Sequence, residues 1–113
     1  MADENKEEED FEVGEDLEII KTTRRNAGSG TWVIGSLNNH KFEALVFPEA
    51  ASHREWEVNG DSRISKLCIR RLSDQKIVYN WDRGPDANVP ADPTVQKIVD
   101  FLCAGLAESI YAE

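Results

Sequence analysis

The sequence predicts an α+β fold: an antiparallel β-meander of four to six strands with one C-terminal α-helix packed on one face. Three observations carry this expectation. Short runs rich in β-branched and aromatic residues recur between turn-forming residues from position 17 to position 81. From Val95 onward the apolar residues change to spacings of three and four, the period of a helix. Between these regions lies DRGPDANVPADP, residues 82–93, whose prolines and glycine forbid regular structure through most of its length.

At 113 residues, a single domain is expected. Residues 1–10 hold no apolar residue beyond Met1 and Ala2. They are expected to form a disordered acidic tail, because such a segment buries too little surface to offset its ordering entropy. Residues 11–113 form the domain. In FEVGEDLEII, Phe11, Val13, Leu17 and Ile19 share a parity, and Leu17 to Thr23 reads as the first strand. RRNAGSG, residues 24–30, is a loop. Its small residues suggest a phosphate cradle only superficially, since the Lys and Ser or Thr that such a loop needs do not follow.

TWVIGSL (31–37) and KFEALVF (41–47) are the clearest strands, joined by Asn38-Asn39-His40, where asparagine tolerates the positive φ of a tight hairpin. Both faces of the second strand carry apolar residues, which places it centrally, and Pro48 ends it. A short strand is read over Trp56 to Val58. In RISKLCIRRL (63–72) the apolar residues hold no single parity, which indicates a β-bulge or a strand covered on both faces. KIVYNW (76–81) places Ile77, Tyr79 and Trp81 on one side. The last segment opens on Asp92 as N-cap with Pro93 in the first turn. Val95, Ile98, Val99, Leu102, Leu106 and Ile110 then form one apolar stripe that must lie on the sheet.

Charge is unevenly placed. Of 22 acids and 13 bases, ten acids and one base fall in the first eighteen residues, leaving twelve of each in the remainder. The folded part is therefore neutral, and three roles follow for the tail: solvation, shielding of Arg24, Arg25, Arg70 and Arg71, or mimicry of a phosphate backbone. No apolar run approaches the length of a membrane span, and the acidic N-terminus is unlike a secretory signal. Cys68 and Cys103 sit within apolar patterns, as buried thiols do in a reducing compartment. A cytoplasmic chain is expected.

No catalytic, cofactor or metal motif is legible. His40 and His53 fall in turn and loop segments with no nucleophile tied to either. The spacings 13, 15 and 35 along His40, His53, Cys68 and Cys103 match none of the compact ligand pairs of structural zinc. Basic residues are more suggestive. Arg63, Lys66, Arg70 and Arg71 lie on one hairpin, which ends in Trp81, Asp82 and Arg83. Tryptophan and arginine beside a carboxylate make a credible recognition surface. The expectation is a non-enzymatic domain, monomeric or weakly dimeric, that needs no cofactor and does not enter a membrane. Its partner is another protein, bound through Arg63, Lys66, Arg70, Arg71, Trp81, Asp82 and Arg83 on the face or edge that the helix leaves open. Two alternatives use other chemistry. One is a single-stranded nucleic-acid binder working through the basic and aromatic side chains of residues 63–81. The other is an acidic inhibitor of a DNA-processing protein.

Overall fold

The hairpin of β2 (Thr31–Leu37) and β3 (His40–Val46) is the simplest element to derive. Asn38 and Asn39 adopt φ of 50° and 65°. Two successive positive φ values make the turn whose twist suits a two-residue hairpin. The register then runs without interruption from Thr31 opposite Val46 to Leu37 opposite His40. In this computed structural model, which describes residues 14–25, 29–86, 88–89 and 92–111, three further strands extend the pair: β1 (Glu18–Arg24), β4 (Ile64–Arg71) and β5 (Ile77–Asp82). All neighbours are antiparallel in the order β1-β2-β3-β4-β5, the meander that the sequence predicts. The acidic tail, Phe11 and Val13 lie outside the described residues, as does part of the loop after β1.

Directly opposed residues of antiparallel strands share a face. On one face, Gly35, Phe42, Ile69 and Tyr79 form a row, Val33, Ala44, Leu67 and Trp81 a second, and Thr31, Val46 and Ile64 a third. Helix α1 (Pro93–Ile110) lies over these rows. Its side chains Val95, Ile98, Val99, Leu102, Leu106 and Ala107 are buried, each contributing roughly 1.5–3 kcal/mol before entropy is subtracted when the side chain is large. Asp92 caps the helix by accepting from the amides of Thr94 and Val95 at 2.8 and 3.3 Å. At the other end, the Tyr111 hydroxyl donates to the Val46 carbonyl at 3.0 Å and lies 2.9 Å from Thr31 Oγ1, tying the helix terminus to the sheet. The opposite face carries Trp32, Leu45, Lys66 and Asp82 in one row and Ile34, Glu43, Cys68 and Asn80 in the next.

Two bulges explain the broken parity of residues 63–72 and correct two readings. Val46 pairs with Ile64 while Leu45 pairs with Lys66, so Ser65 is an extra residue on β4. Ile69 pairs with Tyr79 while Arg70 pairs with Ile77, so Val78 is an extra residue on β5. The second bulge breaks the even alternation expected of KIVYNW: Val78 joins the core and Ile77 is exposed. The expected strand at Trp56 to Val58 is instead two short 3₁₀ turns, Arg54–Trp56 and Val58–Gly60. β3 and β4 pair directly, so the chain between them has no ladder to join; it crosses the sheet end and inserts Val58 into the core. His40 is also not a loop residue. It opens β3, is buried, and its Nδ1 lies 2.7 Å from the Asn38 carbonyl oxygen.

Gly35 marks the tightest packing of the sheet. A Cβ there would meet Phe42 Cζ at 2.7 Å and the Glu18 carbonyl oxygen at 2.8 Å. Gly35→Ala should therefore destabilise the fold by about 1–3 kcal/mol, although alanine is otherwise the better strand residue. Urea denaturation measures this, and a variant as stable as the parent would mean that Phe42 and β1 yield without strain.

Candidate functional site

The meander brings five chain segments to one end of the sheet: the end of β1, the start of β2, the end of β3, the start of β4 and the end of β5. A cleft of about 390 Å³ opens there, walled by Phe47, Pro48, Ala51 and Trp56 and flanked by Arg63 and Arg83. The Arg83 guanidinium lies over the Trp56 ring, 5.4 Å from its centroid, and that of Arg25 lies 5.9 Å from the Phe47 centroid. His53 packs against the same Trp56 ring at 4.3 Å. Three guanidiniums thus surround two aromatic rings.

The backbone is bent to make this arrangement. Arg63 and Arg83 adopt φ of 64° and 61°, a region uncommon for residues other than glycine. Such conformations persist only where the surroundings hold them. Here the bulge at Ser65 does so on one side, since its carbonyl accepts the Arg83 amide at 3.0 Å. The Glu57 carboxylate does so on the other: it is 2% exposed, and its two oxygens accept the amides of Arg63, at 3.1 Å, and Ala51. Glu57 therefore ties Ala51 to Arg63 within the β3–β4 connection that forms the cleft walls. The Trp81 indole donates to the Trp56 carbonyl at 2.9 Å and fixes the third wall.

The electrostatics favour an anion. Arg63 donates one guanidinium bond, to the Pro48 carbonyl at 2.7 Å. No carboxylate pairs with Arg25, Arg63 or Arg83 among the described residues. The charge of Glu57 is already turned onto two amides, which leaves Glu49 as the acid at the rim.

The seven residues singled out in the sequence divide among three places. Arg63 and Arg83 flank the cleft. Trp81 stands opposite Leu67 on the helix side, packed against the core, and contributes through its indole hydrogen bond. Lys66, Asp82 and Arg70 lie on the open face: Lys66 pairs with Asp82 at 3.7 Å, and Arg70 donates to the Gln75 carbonyl at 2.8 Å. Arg71 points the other way. It sits opposite His40 and forms a two-bond ion pair with Asp74, at 3.1 and 2.8 Å, in the β4–β5 turn. The Arg71 guanidinium holds the Asp74 carboxyl down at about 2. Arg25, Phe47 and Trp56 complete the cleft without having been grouped with it in the sequence. Positions 25, 47, 56, 63 and 83 share no spacing, and only the strand order makes them neighbours.

A larger hollow, about 420 Å³, lies between the β4 approach and α1, lined by Asn59, Asp61, Asp100, Cys103 and Glu108. Asn59 and Gln96 both donate to Asp100, at 3.1 and 2.9 Å. No group of acids, histidines or cysteines that could hold a metal occurs among the described residues. The two thiols are free: Cys68 is on the open face and Cys103 is on the helix beneath the Val58 carbonyl. Burial raises Cys68 and pushes Cys103 up to about 12.

The fold and the cleft together define a β-meander domain, with one α-helix among the described residues, that carries a cationic, aromatic-walled recess at one sheet end. The chain belongs to the family described as a domain of unknown function (DUF7678), whose model matches residues 31–107. That span covers β2 to β5, most of α1 and every cleft residue except Ser29 and the flanking Arg25. No curated protein and no solved structure matches the chain. No helix among the described residues is long and apolar enough to cross a membrane.

Two measurements check this description. Glu57→Ala leaves the Ala51 and Arg63 amides without their acceptor and should lower stability by about 1–3 kcal/mol. Equal stability in urea would show that Glu57 does not hold the walls. Burial pushes the Cys103 thiol up to about 12, so it should present far less thiolate than an open cysteine at mildly alkaline pH. Its alkylation, followed by mass spectrometry, should be slow in the folded protein and fast in urea. Equal rates in both states would place the thiol in solvent.

Proposed function

We propose that this chain is a non-enzymatic binding domain that takes an acidic segment of a partner protein in the arginine–aromatic cleft. The observation that carries this reading is the set of three guanidiniums, without a carboxylate partner among the described residues, held around Phe47 and Trp56. An apolar side chain would enter between Phe47, Pro48 and Trp56. A neighbouring carboxylate would meet Arg63 and Arg83, whose planar forks donate to both of its oxygens. Tryptophan and arginine are the side chains that most often dominate such contacts, and the cleft is of the size of ordinary ligand sites. Holding two arginines at positive φ is a local cost that a binding role explains.

The nucleic-acid reading finds less support. Tyr79 and Trp81 belong to the helix side of the sheet, so the hairpin of residues 63–81 does not offer them to bases on the open face. Trp56 is already engaged by His53 and Arg83. A base-stacking track needs successive free rings along a cationic groove.

A random peptide library displayed on phage, panned on the parent chain and counter-selected on the Arg63→Glu, Arg83→Glu double variant, tests the reading. Peptides that pair an acidic residue with an aromatic or aliphatic one should be enriched. Their affinity should fall at least tenfold on the double variant, about 1.4 kcal/mol or more, and should weaken with salt. Enriched peptides without acids, or equal binding to both proteins, would overturn it. Tighter salt-dependent binding of a labelled single-stranded oligonucleotide would favour the nucleic-acid alternative.

A further inference from the structure

Helix α1 leaves the edge strand β1 uncovered. The core is built from β2 to β5, Val58 and the helix, whereas all seven residues of β1 are exposed. Ile19 faces the helix side, opposite Gly35, and is 38% exposed; Phe101, on α1, is 37% exposed. An apolar groove of about 310 Å³ lies between the start of the strand and the helix, walled by Leu17, Phe101, Leu102, Gly105 and Leu106. Glycine is the poorest helix former after proline, yet Gly105 sits well inside α1. A Cβ added there meets nothing within 4 Å among the described residues. The bare helix position keeps the groove open.

Gly14, the first described residue, sits on the rim of this groove. Its φ is 87°, and a Cβ there would meet Phe101 Cζ at 2.2 Å, so the backbone lies directly on the Phe101 ring. The Gly14 amide donates to Asn38 Oδ1 at 3.0 Å, and its carbonyl accepts the Leu17 amide at 3.0 Å. Phe101 and Leu17 are both groove walls. Covalent geometry then limits what precedes Gly14. The Val13 Cα is about 3.8 Å from that of Gly14, and the Phe11 Cα is at most about 11 Å from it. From Phe101 to Ser109 the groove follows about 12 Å of helix, so Phe11 is tethered within reach of its length. Between Asp3 and Val13 the only apolar residues are Phe11 and Val13. In an extended segment, residues two apart project to the same side, which sends this pair one way and Glu12 the other.

We propose that the groove between β1 and α1 is the docking site of the chain's own N-terminal segment. Phe11 and Val13 seat against Leu17, Phe101, Leu102 and Leu106, with Glu12 turned outward. Connectivity selects this occupant: a side chain tethered three residues from the rim is present at a high effective concentration, which any untethered competitor must exceed. The apolar pair supplies the attraction, and the acids from Glu7 to Asp10 stay in water. The seated segment straps the edge strand to the helix. The groove shares no residue with the arginine cleft.

Methyl-detected nuclear magnetic resonance on the full chain is the decisive measurement. Cross-relaxation between the Phe11 ring and the methyls of Leu17, Leu102 and Leu106 should be present and should persist unchanged on dilution. Phe11→Asp should remove it, shift those methyls and lower the urea midpoint, whereas Phe11→Leu should keep the midpoint near that of the parent. Gly105→Leu fills the groove from the helix side. It should displace Phe11 and abolish the cross-relaxation while the far-ultraviolet circular dichroism stays that of the parent. A parent without cross-relaxation from Phe11 would overturn the proposal. So would cross-relaxation that fades on dilution, which would give the groove to a second copy, or a Phe11→Asp variant whose methyls and midpoint match the parent's. Peptide binding at Arg63 and Arg83 should be the same in Phe11→Asp as in the parent, so a failure of either site leaves the other standing.

Discussion

One constraint organises this molecule: a single amphipathic helix can shelter only one face of a five-stranded sheet. The rows containing Phe42, Ala44 and Val46 on β3 and Ile64, Leu67 and Ile69 on β4 are sealed by Ile98, Val99 and Leu102. The alternate rows cannot be. This division is enforced residue by residue, since side chains of a strand alternate between faces. The part of the sheet available for contact therefore lies on the open face, at the two edges, or at the two ends where strands turn. The open face mixes the apolar side chains of Trp32, Ile34 and Leu45 with charged ones, of which Lys66 pairs with Asp82. The end that holds Arg25, Arg63 and Arg83 differs from it, because no carboxylate pairs with these guanidiniums among the described residues.

At the arginine end this follows from how the meander is wired. A connection between adjacent antiparallel strands must cross the end of the sheet, and the connection from β3 to β4 is long. Residues 47–63 cannot enter the ladder, because β3 and β4 pair with each other directly. They fold into tight turns instead, with Val58 inserted into the core and Glu57 buried as the acceptor for two amides. A buried carboxylate is costly unless it is hydrogen-bonded, and here the bonds it makes shape the cleft. The same residue that stabilises the crossing thereby fixes the distance between Trp56 and Arg63. Structure and recognition surface have a common origin in this loop.

Much of the fold was legible in the sequence because each legible element is specified locally. The stripe from Val95 to Ile110 is one helix period, Asp92 is its cap, and Asn38-Asn39 can adopt two positive φ values in succession. What was not legible depends on one-residue insertions into a ladder or on packing between distant segments. The bulge at Val78 reverses the facing of Ile77, and nothing in KIVYNW announces it. His40 reads as a turn residue until its pairing with Arg71 is known. Arg70 and Arg71 look like one basic pair in the chain, yet adjacent strand positions face opposite sides, and one is spent on Asp74 while the other is not. The cleft was only half visible, since Arg63 and Arg83 stood out by composition. Arg25, Phe47 and Trp56 join them only through strand order.

The neutral charge of residues 19–113 also conceals an arrangement. Acids in the folded part are mostly occupied near their own segment: Asp74 by Arg71, Asp82 by Lys66, Glu57 by backbone amides, and Asp86 by Asn80 and the Asn88 amide, which together lower its carboxyl. Among the described residues no carboxylate pairs with Arg25, Arg63 or Arg83, so these residues form a local cationic excess within a neutral segment. Net charge governs long-range encounter, but contact energy depends on the groups within a few ångströms. A chain with no overall basic character can therefore hold a cationic recess.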